Sequence, residues 1–229
     1  MFLPIGPDFV FGPRDFNFKR VSVRNEFGCQ AMVRQIAIDP VDANMIYVLA
    51  RPVSGGGAVF RSDDGGSSWT SIFDGPQQAD IGNAKAGAIA LNPINADTIY
   101  VATDNSRFWV SNDRGNVWSG PTVMGGVTVR QMIVDPRSAV IIAADAAGVL
   151  VSPTGGASWS NVLAGNCTSV AASFAGPSGG DYYATIFQAG LFHAANASGP
   201  WTNLCSQGIG LPARSSGANI FGCGSVGVI

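Results

Sequence analysis

Ser62-Asp63-Asp64-Gly65-Gly66-Ser67-Ser68-Trp69 is one copy of a pattern, S-x-D-x-G-x-x-W, that this chain repeats. Ser111-Asn112-Asp113-Arg114-Gly115-Asn116-Val117-Trp118 is a second copy. In a third, Ser152-Pro153-Thr154-Gly155-Gly156-Ala157-Ser158-Trp159, threonine stands where aspartate stood. A fourth is reduced to Ala194, Asn196, Ser198 and Trp201. The tryptophans are 49, 41 and 42 residues apart, a spacing that marks a repeat architecture. Each residue type has a physical task. Asp and Ser side chains fold back onto nearby backbone N–H groups and hold a tight turn. Glycine takes backbone angles that other residues resist. The tryptophan then brings a large ring to the next strand. The residues that carry the motif are Ser62, Asp64, Gly66 and Trp69, then Ser111, Asp113, Gly115 and Trp118, then Ser152, Thr154, Gly156 and Trp159, and last Trp201.

The motif resembles the Asp-box, or BNR repeat, of sialidases, sortilin-like receptors, xyloglucanase-type glycoside hydrolases and photosystem assembly factors. That resemblance implies an all-β fold, a small β-propeller of four-stranded antiparallel blades. It also implies that the box is structural and lies away from any catalytic face.

Around the boxes the chain falls into repeats at about 32–75, 86–125, 128–165 and 167–205. Each reads as an antiparallel meander. In the first repeat Val33 to Ile38, Met45 to Ala50, Ala58 to Arg61 and Trp69 to Phe73 are the expected strands. Ile36-Ala37-Ile38-Asp39-Pro40 is matched by Ala88-Ile89-Ala90-Leu91-Asn92-Pro93 and by Val134-Asp135-Pro136. Asn219 to Gly224 and Val226 to Ile229 look like second and third strands without a box after them. Phe18 to Val23 looks like an outer strand without a blade before it. A fifth blade made of 206–229 plus 18–23 closes a ring and removes sheet edges, which sheets avoid exposing. On this reading residues 1–17 are an extended arm and 18–229 one propeller domain. An open arc completed by another subunit, and a tail paired with a neighbour in an assembly, remain alternatives.

Composition narrows the function classes. Of 229 residues, 30 are glycine and 13 proline, which suits many short strands and turns. The formal net charge is −2, so no basic surface points to nucleic acid. Charged residues make up 12% of the chain, about half the usual share of roughly 25%. With a mean hydropathy of +0.22, this fits a surface covered by partners or by copies of itself. A Gly/Ala/Ser/Asn-rich surface, polar without charge, fits equally well. No run is long enough to span a membrane as a helix, and the first ten residues lack the basic and apolar regions of a secretory signal. Synthesis in the cytoplasm, with a place in a virion or other large assembly, is the expectation that follows. Cys29, Cys167, Cys205 and Cys223 form no CxxC pair, and with one histidine, His193, a zinc site is not expected. No cofactor motif is present.

Glycoside hydrolysis needs two facing carboxylates, roughly 5 to 9.5 Å apart. Asp104 and Asp145 are the candidates, each following the second strand of its repeat. The resemblance implies that a catalytic aspartate of a xyloglucanase-like enzyme sits after the matching strand. The first repeat has no acid in Leu49-Ala50-Arg51-Pro52, nor has the fourth in Thr185-Ile186-Phe187-Gln188. Turn capping is therefore the favoured reading of both. A sialidase needs an arginine cluster and a tyrosine nucleophile. Arg24, Arg34, Arg51, Arg107 and Arg130 are available, but Tyr47 and Tyr100 fall inside core strands and the one glutamate, Glu26, lies in a loop. Arg34 and Arg130 share the context Val-Arg-Gln and are candidates to line a central channel, where they would meet an anion or a sugar hydroxyl. Pairing with Asp39 and Asp135 is the structural alternative. The reading that results is a non-catalytic module for glycan or protein recognition, or an assembly subunit. A glycoside hydrolase is the alternative.

Overall fold

The computed structural model describes residues 31–52, 58–74, 85–174 and 180–205. Within them the chain forms four antiparallel sheets, each of four strands in sequence order. Blade I is β1 (Ala31–Ile38), β2 (Ile46–Pro52), β3 (Ala58–Ser62) and β4 (Thr70–Asp74). Blade II is β5 (Ala86–Leu91), β6 (Ile99–Thr103), β7 (Arg107–Ser111) and β8 (Ser119–Val123). Blade III is β9 (Val129–Val134), β10 (Ile141–Asp145), β11 (Gly148–Ser152) and β12 (Ser160–Ala164). Blade IV is β13 (Cys167–Ser173), β14 (Asp181–Ile186), β15 (Gly190–Ala194) and β16 (Thr202–Asn203). The expected β-propeller architecture is present, and in blade I the strand boundaries lie within one or two residues of the sequence reading. The fifth blade expected from 18–23 and 206–229, and the arm at 1–17, fall outside the described residues. Among the described residues no helix is long and apolar enough to cross a membrane.

The strand sequences explain their places. Ile99-Tyr100-Val101-Ala102-Thr103 is buried throughout, because a second strand has blades on both faces. Ser119-Gly120-Pro121-Thr122-Val123 is an outer strand, and it carries a proline that an interior strand would not accept. The core lies in the seams between blades rather than inside one sheet. Tyr47, Leu49, Val59 and Phe73 of blade I pack on Ile89, Ile99, Val101 and Trp109 of blade II. Tyr100 and Phe108 of blade II pack on Met132, Ile141 and Leu150 of blade III. Ile142, Val149 and Val151 meet Val170, Tyr182 and Ala184 at the next seam.

Asp-boxes lock the first two of these seams. In the first box, the Gly66 N–H donates to Ser62 Oγ at 2.8 Å, and the Ser62 hydroxyl donates to Asp64 Oδ1 at 2.8 Å. Asp64 Oδ1 also accepts the N–H groups of Ser67 and Ser68, each at 2.8 Å. These bonds, led by that from the Ser68 backbone, hold the Asp64 carboxyl down at about 2. The second box repeats the scheme through Ser111, Asp113, Gly115 and Val117. In the third, Thr154 Oγ1 accepts the Ser158 N–H at 2.9 Å, so a hydroxyl replaces the carboxylate without loss of the turn. Trp118 then reaches back and donates from Nε1 to Ile72 O at 2.7 Å, with its ring edge-on to Phe73 at 5.0 Å. Trp159 meets Phe108 the same way at 5.2 Å. Such ring pairs add about 0.5–1.5 kcal/mol beyond their buried area.

One apolar face has no described neighbour. Ile36 on β1 occupies the place that Ile89 occupies on β5, one residue on from the second partner of a shared register shift. Ile89 is 0% exposed, whereas Ile36 is 61% and Ile38 57% exposed.

The close approach at a seam generates a direct test. A Cβ at Gly156 would overlap the Phe108 ring, at a φ of +97° that disfavours side chains, whereas Gly155 (φ +64°) has open space. Gly156→Ala is expected to cost about 2–4 kcal/mol in urea unfolding and Gly155→Ala only about 1 kcal/mol.

Candidate functional site

The first strand of every blade contains a register shift at the same place. In β1 the pairing jumps from Val33 to Gln35, in β5 from Ala86 to Ala88, in β9 from Val129 to Gln131, and in β13 from Cys167 to Ser169. The skipped residues are Arg34, Gly87, Arg130 and Thr168. A bulge of this kind leaves one residue outside the ladder and re-aims its side chain. These four residues, with Gln35 and Gln131, line one cavity of about 250 Å³. Each inner strand thus contributes its extra residue to a shared axial opening.

Neighbouring blades fix the occupants. A Cβ at Gly87 would overlap Val129 O, so this position must be bare for β9 to approach. Arg130 stretches toward the next blade, donating from Nη1 to Asn166 Oδ1 at 2.8 Å and to Cys167 O at 2.7 Å. Arg34 is exposed and makes no hydrogen bond or ion pair with another described residue. Thr168 Oγ1 lies 2.6 Å from Thr185 Oγ1. Arg34 and Arg130 both line this cavity.

The glutamines beside them, in Val33-Arg34-Gln35 and Val129-Arg130-Gln131, stand in register and carry no sequence signal of their role. Gln35 donates from Nε2 to Ile89 O at 2.7 Å and accepts the Ile89 N–H at 3.1 Å. Gln131 Oε1 accepts the Val170 N–H at 3.1 Å and the Ser169 hydroxyl at 3.0 Å. Each glutamine therefore stitches one inner strand to the next, satisfying backbone groups that no ladder serves.

The alternative pairing of the arginines with Asp39 and Asp135 does not occur. Asp39 Oδ1 accepts the N–H groups of Val41 and Asp42, capping its turn. Asp135 bonds Arg137, two residues along, at 3.2 Å and accepts the Tyr182 hydroxyl at 2.6 Å across the seam. Burial pushes the Asp135 carboxyl up, but these two partners outweigh it and hold it at about 2. Burial, then the bond to Asp135, pushes the Tyr182 phenol up to about 12.

Asp104 and Asp145 sit at the ends of second strands, at the opposite ends of the blades from the boxes. Asp104 Oδ1 accepts the Lys85 N–H at 2.8 Å. Asp145 is fully buried, and its Oδ1 accepts the N–H groups of Val127 at 2.8 Å and Ala147 at 2.7 Å. A Cβ on Gly126 would come within 2.5 Å of the Asp145 carboxyl carbon, so this carboxylate is roofed by the connection between β8 and β9. His193 has a partner that sequence did not reveal: Nε2 is 2.8 Å from Asp181 Oδ1, and its ring lies 5.1 Å from that of Tyr183. Tyr47 and Tyr100 are core residues; the Tyr47 hydroxyl donates to Met45 Sδ at 3.0 Å and Tyr100 accepts from Asn92 Nδ2 at 3.0 Å. Burial pushes the Tyr47 phenol up to about 12. Cys167 is a buried free thiol, pushed up to about 12 by that burial, and Cys205 Sγ accepts the Leu191 N–H at 3.2 Å. Cys29, Cys223, Arg24 and Glu26 lie outside the described residues.

Comparisons with known proteins agree with this geometry. The sortilin (neurotensin receptor 3) family model matches residues 57–144, which include the first two boxes. This chain is an Asp-box β-propeller. It is 26% identical over 139 residues to a probable oligoxyloglucan-reducing end-specific xyloglucanase of Neosartorya fischeri, covering 56% of this chain and 17% of that protein. The corresponding xyloglucanase of Emericella nidulans is 29% identical over 143 residues, with the same coverage. The chain thus spans about a sixth of the length of the curated relatives it matches. Among solved structures, the GH74 enzyme of Niastella koreensis aligns with a TM-score of 0.58 at 21% identity, over 75% of this chain and 30% of that one. YCF48 bound to D1 peptide aligns with a TM-score of 0.55 at 14% identity, over 78% of this chain and 57% of that one.

Proposed function

We propose that this Asp-box propeller is a non-catalytic binding or structural module, presenting the loops of the face opposite its boxes to a protein or glycan partner or within a larger assembly. The observation that carries this reading is the use to which Asp104 and Asp145 are put. A general acid or nucleophile needs a carboxylate oxygen in reach of the scissile bond. Asp145 is instead sealed under Gly126 with one oxygen spent on two loop amides. Asp104 accepts from the loop that enters β5. The solved structure of YCF48 with D1 peptide makes a protein partner a natural choice within this fold.

The second reading is a glycoside hydrolase, favoured by the similarity to two proteins named as xyloglucanases. Incubating the full chain with xyloglucan oligosaccharides and measuring new reducing ends separates the two. No product is expected. Turnover that disappears in both Asp104→Asn and Asp145→Asn would replace the binding module with the enzyme.

We also propose that the exposed Ile36 and Ile38 face of blade I is covered by sequence from 18–23 and 206–229 of the same chain, as the repeats at those positions suggest. Combined light and small-angle X-ray scattering on the full chain is expected to return a monomeric disc. A defined oligomer would instead make a neighbouring copy the cover and favour the assembly subunit.

A further inference from the structure

The axial cavity holds two arginines and no described carboxylate paired with either. We propose that it is a binding site for an oxyanion, a phosphate or carboxylate group gripped between Arg34 and Arg130.

The argument begins with the four inner-strand bulges. A bulge residue leaves the ladder, so its side chain is free to serve the axis. In two blades that residue is Gly87 or Thr168, short enough to leave space. In the other two it is arginine, whose planar fork suits phosphate and carboxylate oxygens. The cavity therefore has two long cationic walls and two short neutral ones.

Most of the surrounding polar groups already have partners. Gln35 bonds the backbone of the next blade through both amide atoms, Gln131 does so through Oε1, and Thr168 meets Thr185. The aspartates at this face, Asp104 and Asp145, turn their Oδ1 atoms into loop N–H groups. Arg130 donates only to neutral oxygens, those of Asn166 and Cys167, through Nη1. Its other donors, and all of those of Arg34, meet no described acceptor. Like charges that share a concave site repel one another, and an anion between them relieves that cost and is attracted by both. The inference concerns the axial opening alone and holds whether or not the chain turns over a glycan.

The test uses the ¹⁵N-labelled full chain and follows the arginine Nε–H resonances. Sodium phosphate and sodium acetate are titrated separately against sodium chloride at matched ionic strength. A saturable shift of the Arg34 and Arg130 signals is expected with phosphate or acetate and not with chloride. Tighter phosphate binding assigns a phosphoryl source, and tighter acetate binding a carboxylate source. Arg34→Gln is the informative variant, because Arg34 supports no described contact and its loss leaves the fold intact. It is expected to weaken binding about tenfold or more, the usual effect of losing one charge-assisted contact. Arg137→Gln, at the far end of blade III, is expected to leave it unchanged. No saturable shift with either anion, an equal response to chloride, or undiminished affinity in Arg34→Gln would overturn the proposal.

Discussion

The hydroxyl of the serine that ends the third strand of blades I, II and III is the interaction on which the packing of this structure turns; in blade IV alanine, Ala194, stands at this place. Ser62, Ser111 and Ser152 each accept the N–H of the glycine four residues on, at 2.8 Å in all three boxes. The serines are buried, so this bond has no water to replace it, and an unsatisfied buried N–H costs about 1–3 kcal/mol. Held this way, the glycine sits flat against the preceding blade: Gly115 on Ile72 and Gly156 on Phe108. The tryptophan three residues further is thereby delivered to the same neighbour. One hydroxyl thus links a local turn to the packing of a seam. Three of the four described blades carry that link.

The fold separates support from opportunity. Boxes and Asx-Pro turns close the strand ends at one face, where Asp39, Asn92 and Asp135 cap their own backbones. The other face carries the loops that follow second and fourth strands, together with the axial opening. Stability is invested in the first face and variation is tolerated at the second, which is the usual division between scaffold and function. The bulge position illustrates it. Arginine, glycine, arginine and threonine succeed one another there without any change in strand pairing around them.

Much of this was legible in the sequence because it repeats. S-x-D-x-G-x-x-W specifies a turn whose chemistry is local, so no tertiary knowledge is needed to place strands on either side of it. The core tyrosines and the buried second strands followed from continuous apolar runs such as Ile99 to Ala102. What stayed hidden was the partner of each polar side chain. Asp135 finds Arg137 and Tyr182 rather than Arg130, and His193 finds Asp181 on the neighbouring strand. The role of Gln35 and Gln131 was equally obscure. A side chain that bonds the backbone of the next blade leaves no trace in hydrophobic period or turn residues. The only signal is that Val-Arg-Gln recurs in register.

Native-state amide hydrogen exchange at Gly66, Gly115 and Gly156 tests the central role of the box serines most directly. Each of these protons is held by a serine hydroxyl rather than by a strand ladder. If the boxes lock the seams, all three exchange only through the opening that releases the central strands, with protection equal to that of Val101 and Ile142. Fast exchange at the three glycines, while Val101 and Ile142 remain protected, would show that the boxes open on their own and that the seams stand without them.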